Sequence, residues 1–187
     1  MSDSLTWIQL LSAVILTDWC VILFCRFRWD YVDRLRLYMP GFTKLLTAGV
    51  QADWVEPVFP VLSYPSWTSI STGVYPETHG IIGNFMLDLN KDPTGGEVFN
   101  LNDVYSTLKP HWWQKSEPIW ITATKHNKRS FLRFWSRCDV PFHGIQPEEC
   151  MGYYPAGGVE AINETLKTAM TKLQEGFELV MVNIMED

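Results

Sequence analysis

The chain has 187 residues with a formal net charge of −6, and 47% of its residues are hydrophobic. This length can bury the core of a single domain, and the hydrophobic content argues against an intrinsically disordered protein. Because the charge balance is acidic and no basic run occurs, the composition also argues against a nucleic acid polymer as a partner.

The first 18 residues contain an apolar piece at residues 10–16, but Asp3 is the only charge near its start. A secretory signal requires a basic region there, and a transmembrane span over residues 5–25 would be interrupted by Asp18. Residues 1–18 are therefore interpreted either as an atypical signal-like segment or as sequence unrelated to the domain that follows.

The rest of the chain alternates predicted strands and helices. Residues 19–24 and 179–182 are wholly apolar runs, which are typical of buried parallel strands. Residues 159–175 predict an amphipathic helix ended by Gly176. The remaining predicted elements are a short helix at 40–46 ended at Gly49, a strand at 50–55, a polar loop at 90–102 and a core strand at 119–124. This alternation indicates an α/β fold with a central, mostly parallel sheet and helices on both faces.

The stretch over residues 59–84 combines a serine, a proline two residues later and a glycine that can end a helix. Pro65 suits the first turn of a helix, and Gly73 is a natural residue just after a helix ends. Ser63 is therefore predicted to lie immediately before a helix, where free N–H groups and the helix dipole favour an anion. A hydroxyl presented to a bound phosphate is the simplest chemical interpretation, and a helix-capping serine without chemistry is the alternative.

Several short motifs in this order carry a resemblance to a known family. They are Ser-Tyr-Pro at 63–65, Thr-Gly-Val-Tyr-Pro-Glu-Thr-His-Gly at 72–80, Ile-Gly-Asn at 82–84, Trp-Trp at 112–113, Glu-Pro-Ile-Trp at 117–120 and Phe-Trp at 134–135. Together they resemble the ectonucleotide pyrophosphatase/phosphodiesterase family of the alkaline phosphatase superfamily. The resemblance implies that residues 19–187 are the N-terminal part of an alkaline-phosphatase-like catalytic domain. It also implies a hydrolase that cleaves small phosphodiesters with two zinc ions.

The resemblance assigns roles to individual residues. Ser63 is implied to be both the nucleophile that attacks phosphorus and a zinc ligand, and Asn84 is implied to hold a phosphate oxygen. Asn84 has the alternative of an ordinary turn residue. The Ser-Tyr-Pro sequence is more similar to the choline-specific glycerophosphodiesterase branch, so glycerophosphocholine or a lysophospholipid is predicted over a nucleotide. Tyr153 and Tyr154 are candidate ring faces for the choline group.

The chain also departs from the family pattern. Cys25 lies where the family has a zinc-binding aspartate, and Arg26 replaces the glycine that follows it. The sequence stops at Glu186 and Asp187, before the family's next zinc aspartate, so Ser63 is the only residue of the expected ligand set that is present. The chain is interpreted as a fragment that is inactive as written. The alternative function is that of a truncated homologue or binding protein without the full two-zinc site.

Four histidines are available as candidate ligands, but none occurs in a metal motif such as His-Glu-x-x-His. His79 lies in a turn where the family also has histidine, and it is predicted to be a hydrogen-bonded structural residue rather than a ligand. His111, His126 and His143 are predicted to be solvated. The absence of a Gly-x-Ser-x-Gly sequence argues against an esterase of the α/β-hydrolase type.

The resemblance finally implies a location. Cys138 and Cys150 resemble a disulfide pair of the family, which implies an oxidising compartment. The protein is therefore predicted to be extracellular or at the cell surface, with membrane association as an option. Asn163 begins an Asn-Glu-Thr glycosylation sequon, but it lies on a predicted helix.

Overall fold

A computed structural model of the chain describes residues 9–15, 18–25, 27–91, 95–135, 137–152 and 158–184. Seven strands occur within these residues. They are Gln9–Ile15 (β1), Asp18–Phe24 (β2), Phe85–Asp88 (β3), Glu97–Asn100 (β4), Ser130–Arg133 (β5), Glu149–Met151 (β6) and Leu179–Ile184 (β7). Five of them form a sheet in the order β1-β2-β7-β5-β6, and β3 and β4 form a separate antiparallel hairpin.

The centre of the main sheet is parallel, as the sequence predicts. Strands β2, β7, β5 and β6 pair in parallel, and β1 pairs antiparallel with β2 at one edge. Every residue of β7 is buried, which is what a continuous apolar run in a central strand requires. In the register of the parallel strands, Leu23 lies opposite Asn183 and Leu132 lies opposite Met181. The carboxyl ends of these strands therefore meet at one edge of the sheet.

Seven α-helices accompany the strands in the described residues. They are Tyr31–Arg34 (α1), Pro40–Ala48 (α2), Ser63–Thr72 (α3), Pro76–His79 (α4), Val104–Thr107 (α5), Ile119–Lys125 (α6) and Val159–Gln174 (α7), with 3-10 turns at Arg36–Tyr38 and Pro110–Trp113. Helix α7 confirms the predicted amphipathic helix, since Thr165 and Ala169 are buried. Helix α2 confirms the predicted short helix, with Pro40 in its first turn and Gly49 directly after its last residue.

Helices cover both faces of the sheet, which confirms the predicted arrangement. Met181 of β7 belongs to one core cluster with Trp67 of α3 and Ile121 of α6. Its neighbour Val180 belongs to a second cluster with Ala169 of α7. Since successive strand residues point to opposite faces, α7 covers one face of the sheet, and α3 and α6 cover the other.

The predicted core strand at residues 119–124 is wrong, because these residues form α6. Pro118 occupies the position before the first turn of this helix, where its missing N–H does no harm. The adjacent residues Trp120 and Ile121 are both buried and Thr122 is exposed. Two consecutive buried residues fit the period of a helix and not the alternation of a half-buried strand. The β-branched composition of the segment is therefore overridden by its packing.

The predicted strand at residues 50–55 is also wrong. The segment forms no regular element, and Val50 and Trp54 are exposed. A strand needs a neighbour for its backbone N–H and C=O groups, and none of the described strands pairs with this segment. The predicted polar loop at 90–102 contains a strand as well, because Glu97–Asn100 pairs with β3.

The predicted disulfide is confirmed: Cys138 and Cys150 are joined, with their Cα atoms 5.8 Å apart. The bond connects the segment after β5 to β6, across a sequence separation of 12 residues. Cys20 and Cys25 are not disulfide-bonded, and Cys20 is buried in the core. Burial raises the pKa of the Cys20 thiol, so this side chain acts as a small apolar residue.

Candidate functional site

Helix α3 begins at Ser63, the residue predicted to lie immediately before a helix. Leu62 precedes the first turn with an extended backbone, and its carbonyl accepts a 3.1 Å hydrogen bond from the N–H of Ser66. The side chain of Leu62 makes no capping hydrogen bond with this end of the helix. Ser63 thus lies one residue further along than predicted, and its interpretation as a capping serine is wrong. The helix ends at Gly73, whose φ of 72° is the left-handed conformation that glycine adopts without strain.

Asn84 reaches the same turn from the far end of the 59–84 stretch. Its Oδ1 accepts a 3.1 Å hydrogen bond from the backbone N–H of Tyr64, and its carbonyl accepts a 2.8 Å bond from Leu101. Because Oδ1 is the acceptor, Nδ2 carries the two N–H donors, and it has no partner among the residues that the structure describes. The structure therefore brings the two predicted site residues, Ser63 and Asn84, to one helix turn.

Most backbone donors at this helix end are already used or missing. The N–H of Tyr64 donates to Asn84, and Pro65 has no N–H to offer. Within the described ranges, the N–H of Ser63 has no acceptor. Three groups are thus available to an anion at the positive end of the helix dipole: the Ser63 N–H, the Ser63 hydroxyl and Asn84 Nδ2.

Close packing holds the backbone on each side of this site, at Tyr64 next to Ser63 and at Gly83 next to Asn84. The Tyr64 side chain is 2% exposed, and its ring meets Phe99 and Trp67 edge-on at centroid distances of 5.2 and 5.6 Å. Such edge-to-face aromatic contacts add to the stability from burial alone. The asparagine follows Gly83, where a Cβ would lie 2.9 Å from the Phe85 carbonyl oxygen. Only glycine fits this close approach of the chain to itself.

The described residues do not fit the two zinc ions that the family resemblance implies. The Cys25 thiol donates a hydrogen bond to Asn183 Oδ1 at 3.2 Å, and Asn183 Nδ2 lies 3.4 Å from the Phe134 carbonyl. A thiol that donates keeps its proton, whereas zinc binds the thiolate. In the part of the chain that the structure describes, no group of three or more His, Cys, Asp or Glu side chains could hold a metal ion.

Asn183 is a residue that the sequence analysis missed. It is 1% exposed and is the polar member of the otherwise apolar strand β7. A buried amide must be hydrogen-bonded, so a polar residue inside an apolar strand is the signal that could have identified it. Its partner Cys25 was identified by the resemblance alone.

The four histidines differ in burial: His79 is buried, His111 is half-buried, and the other two are exposed. His126 and His143 are exposed, as predicted. His111 is half-buried, with Nε2 3.1 Å from a Glu97 carboxylate oxygen and its ring against Trp112, so its prediction as a solvated residue is wrong. Burial lowers the pKa of His111, and the Glu97 carboxylate opposes this shift.

The other predicted site residues cannot be placed at this site. Tyr153, Tyr154 and Arg26 lie outside the described residues. Asn163 is exposed on α7, while Thr165 of the same sequon is buried. The choline-binding role of the tyrosines and the glycosylation of Asn163 stay predictions.

Comparison with known proteins identifies similar sequences. The family model of type I phosphodiesterase / nucleotide pyrophosphatase matches residues 19–186. The bis(5'-adenosyl)-triphosphatase enpp4 of Xenopus laevis is 35% identical over 127 residues, which are 68% of this chain and 26% of that protein. Ectonucleotide pyrophosphatase/phosphodiesterase family member 3 of Bos taurus is 36% identical over 129 residues, 68% of this chain and 14% of that protein. The chain therefore spans 26% or less of the length of these relatives.

Solved structures show the same fold. Murine ectonucleotide pyrophosphatase/phosphodiesterase 5 is similar over 88% of this chain and 42% of its own, with a TM-score of 0.73 and 28% identity. A structure of an inactive variant of the same murine protein, in complex with AMP, matches 84% of this chain and 40% of its own with a TM-score of 0.70. These matches confirm the α/β fold with its mostly parallel central sheet.

Proposed function

This chain belongs to the type I phosphodiesterase / nucleotide pyrophosphatase family, and from that premise we propose that the first turn of α3 binds the phosphoryl group of a small phosphodiester. One observation carries the proposal: the hydrogen bond from the Tyr64 N–H to Asn84 Oδ1 sets a carboxamide beside Ser63 at a helix N-terminus. Phosphate oxygens are the acceptors that such a helix end attracts, and the three available donor groups match them.

The reaction class that fits these residues is displacement at phosphorus. The Ser63 oxygen forms a bond to phosphorus while the bond to the leaving alkoxide breaks, and the alkoxide takes up the proton that the serine gives up. Water then cleaves the phosphoserine and restores the hydroxyl group. Asn84 Nδ2 donates to a phosphoryl oxygen as negative charge develops on it.

A second candidate function is that of a homologue that binds phosphoesters without turnover. It is favoured by the Cys25 thiol, which donates to Asn183 at the position where the resemblance expects a zinc carboxylate. The described residues do not fit zinc, and the reaction above uses only Ser63, Asn84 and water. The two candidates share one binding site and differ in whether Ser63 forms a covalent intermediate.

One experiment separates binding from chemistry. AMP, which is bound in a solved relative, is titrated into the purified chain and into the Asn84→Ala variant. The matched control is Asn90→Ala, which changes an exposed asparagine beyond the other end of β3. We expect Asn84→Ala to weaken AMP binding about ten-fold, as loss of a charge-assisted hydrogen bond does, and Asn90→Ala to leave it unchanged.

The chemistry is then tested with bis(4-nitrophenyl) phosphate and peptide mass spectrometry. A covalent phosphoryl adduct on Ser63 supports the hydrolase. AMP binding without an adduct supports the binding homologue. A wild-type chain that binds neither AMP nor phosphocholine contradicts both candidates.

The substrate head group is part of the proposal. The Ser-Tyr-Pro sequence at residues 63–65 supports a choline ester through its resemblance to the glycerophosphodiesterase branch. The names of two relatives, a bis(5'-adenosyl)-triphosphatase and a complex with AMP, support a nucleotide instead. We propose the choline ester, because the nucleophile motif lies in the site itself.

We further propose that the protein is extracellular or at the cell surface. The disulfide between Cys138 and Cys150 supports this location, since disulfides persist in oxidising compartments. None of the helices within the described residues is long and apolar enough to cross a membrane. Glycosylation at Asn163 would also follow from this location.

A further inference from the structure

His79 is a buried side chain that connects the two halves of the candidate site. It is the last residue of α4, and only 2% of it is exposed. Its Nδ1 accepts a 3.1 Å hydrogen bond from the Ile81 N–H, and its Nε2 lies 3.0 Å from Ser69 Oγ. Ser69 belongs to the helix that begins at Ser63, whereas Ile81 lies in the segment that leads to Asn84.

The Ile81 bond determines which ring nitrogen carries the proton. A backbone N–H can only donate, so Nδ1 of His79 accepts with its lone pair. The neutral ring therefore carries its proton on Nε2 and donates it to the Ser69 hydroxyl oxygen. Burial lowers the pKa of His79 to about 4, although the Pro65 carbonyl favours the protonated ring, so the ring is neutral near neutral pH.

This tautomer excludes one interpretation of the Ser69–His79 contact. A serine nucleophile needs a base with a free lone pair directed at its hydroxyl. In His79 the nitrogen beside Ser69 already carries a proton, and the lone pair of the other nitrogen is used by Ile81. The contact therefore holds the chain together and does not activate Ser69.

We propose that His79 is the positioning residue that fixes Asn84 relative to Ser63. This inference rests on the proposed function, which assigns those two residues to the phosphoryl group. One nitrogen of the ring holds α3 and the other holds the segment before Asn84, so a rigid imidazole sets the distance between them. Gly80, with a φ of 82°, makes the turn that brings the ring back to Ile81.

Hydrogen exchange of the Tyr64 amide reports on this arrangement, because that N–H donates to Asn84. His79→Gln keeps an amide donor near the position of Nε2 but removes the Nδ1 acceptor. Ser69→Ala keeps the ring and removes its contact with the Ser69 hydroxyl, while the Pro65 carbonyl remains beside the ring. We expect the Tyr64 amide to exchange about ten-fold faster in His79→Gln, and faster by a smaller factor in Ser69→Ala, since each change opens the same segment locally.

Two internal references make the test specific. The amide of Val180, in the central strand β7, should keep its exchange rate in both variants if the fold is intact. His143→Gln changes an exposed histidine and should leave the exchange of Tyr64 unchanged. Nitrogen chemical shifts of the wild-type His79 ring should show the proton on Nε2.

Either of two results would overturn the proposal. One is a Tyr64 exchange rate that stays at the wild-type value in folded His79→Gln and Ser69→Ala. The other is a wild-type His79 ring with its proton on Nδ1, a result that does not depend on any variant folding. If AMP fails to bind while Tyr64 exchange still responds to the His79 change, the proposed function fails and the positioning role stands.

Discussion

The backbone N–H of Tyr64 donates a 3.1 Å hydrogen bond to Oδ1 of Asn84, across 20 residues of sequence. This contact joins two separate motifs, at residues 63–65 and 82–84, into one site. The carboxamide satisfies a backbone donor that the helix itself leaves unpaired, and the bond orients the amide so that its own N–H groups are available to a ligand. The same interaction therefore serves the stability of α3 and the geometry of the site.

Two substitutions of Asn84 should separate these roles. Asn84→Ala removes the acceptor of the Tyr64 N–H and should lower the free energy of unfolding by about 1 kcal/mol. Asn84→Asp keeps an acceptor for Tyr64 and should retain most of this stability. It should still abolish AMP binding, because a carboxylate repels phosphate. Urea unfolding and AMP titration measure the two effects, and equal destabilisation by both variants would contradict the prediction.

The disulfide should contribute measurably to stability. Replacing Cys138 and Cys150 by serine releases a loop of 12 residues and should cost about 3 kcal/mol in the chain-entropy model. Urea unfolding with and without dithiothreitol provides the control, because the reductant should weaken the wild type and leave the double variant unchanged. An identical urea midpoint for the oxidised wild type and the double variant would rule out this contribution.

The elements that could be predicted from the sequence are those whose pattern of apolar residues matches the faces that they bury. Residues 179–182 of β7 are a continuous apolar run because the strand is buried in the middle of the sheet, and α7 has one apolar face because only one face meets the sheet. The segment at 119–124 has strand-like composition, yet it is a helix because Pro118 begins it and its buried residues are consecutive. Composition alone does not contain this packing information.

In the candidate site, the individual residues could be predicted from the sequence but their contacts could not. Ser63 and Asn84 were predicted individually, from motifs that resemble a family. The hydrogen bonds of Asn84 and of Cys25 could not be predicted, because Tyr64 reaches Asn84 over 20 residues and Cys25 reaches Asn183 over 158 residues. The second contact depends on the pairing of β2 with β7, which is a property of the assembled sheet.

Stability should fall in mild acid because of His79. Burial lowers the pKa of this ring from 6.5 to about 4, and the nearby Glu77 carboxylate only partly opposes the shift. The unfolded chain therefore binds the proton more readily than the folded one. The stabilisation is fully present above pH 6.5 and is lost as the pH falls towards 4.

The size of this loss is on the order of 3 kcal/mol, since one pKa unit corresponds to about 1.36 kcal/mol. Urea unfolding over this pH range measures it in the wild type and in His79→Gln, which lacks the titrating ring. The difference between the two proteins should shrink as the pH falls. Parallel curves over the whole range would show that His79 does not carry the effect.

A choline ester should be the better substrate of any form of this protein that turns over. The prediction follows from the Ser-Tyr-Pro sequence at 63–65, with Tyr153 and Tyr154 as ring faces for the quaternary ammonium group. We expect faster release of nitrophenol from nitrophenyl phosphocholine than from a nitrophenyl nucleotide. Replacing both tyrosines by leucine should slow only the choline ester. A preference for the nucleotide ester would reject the prediction.

Restoring a carboxylate at residue 25 should not create a metal site. Cys25→Asp, even with Arg26→Gly, adds one ligand to a chain whose described residues contain no group of three that could hold a metal ion. The new carboxylate would also lie against Asn183 Oδ1, the acceptor that the thiol now donates to. Repulsion between the two oxygens in this partly buried contact should therefore destabilise Cys25→Asp, whereas Cys25→Ser keeps a donor for Asn183 and serves as the matched control.

Zinc content after dialysis and urea unfolding test this prediction together. We expect no stoichiometric zinc in the wild type or in either variant, and lower stability only where the carboxylate is present. Chelator-sensitive phosphodiester hydrolysis should be undetectable in all three proteins, because Ser63, even with one added carboxylate, cannot hold two metal ions around a phosphoryl group. Stoichiometric zinc in Cys25→Asp would contradict the prediction and show that residue 25 can bind a metal ion instead of contacting Asn183. Hydrolysis by the wild type that depends on Ser63 and is lost with a chelator would show that the chain forms a metal site despite the protonated Cys25 thiol.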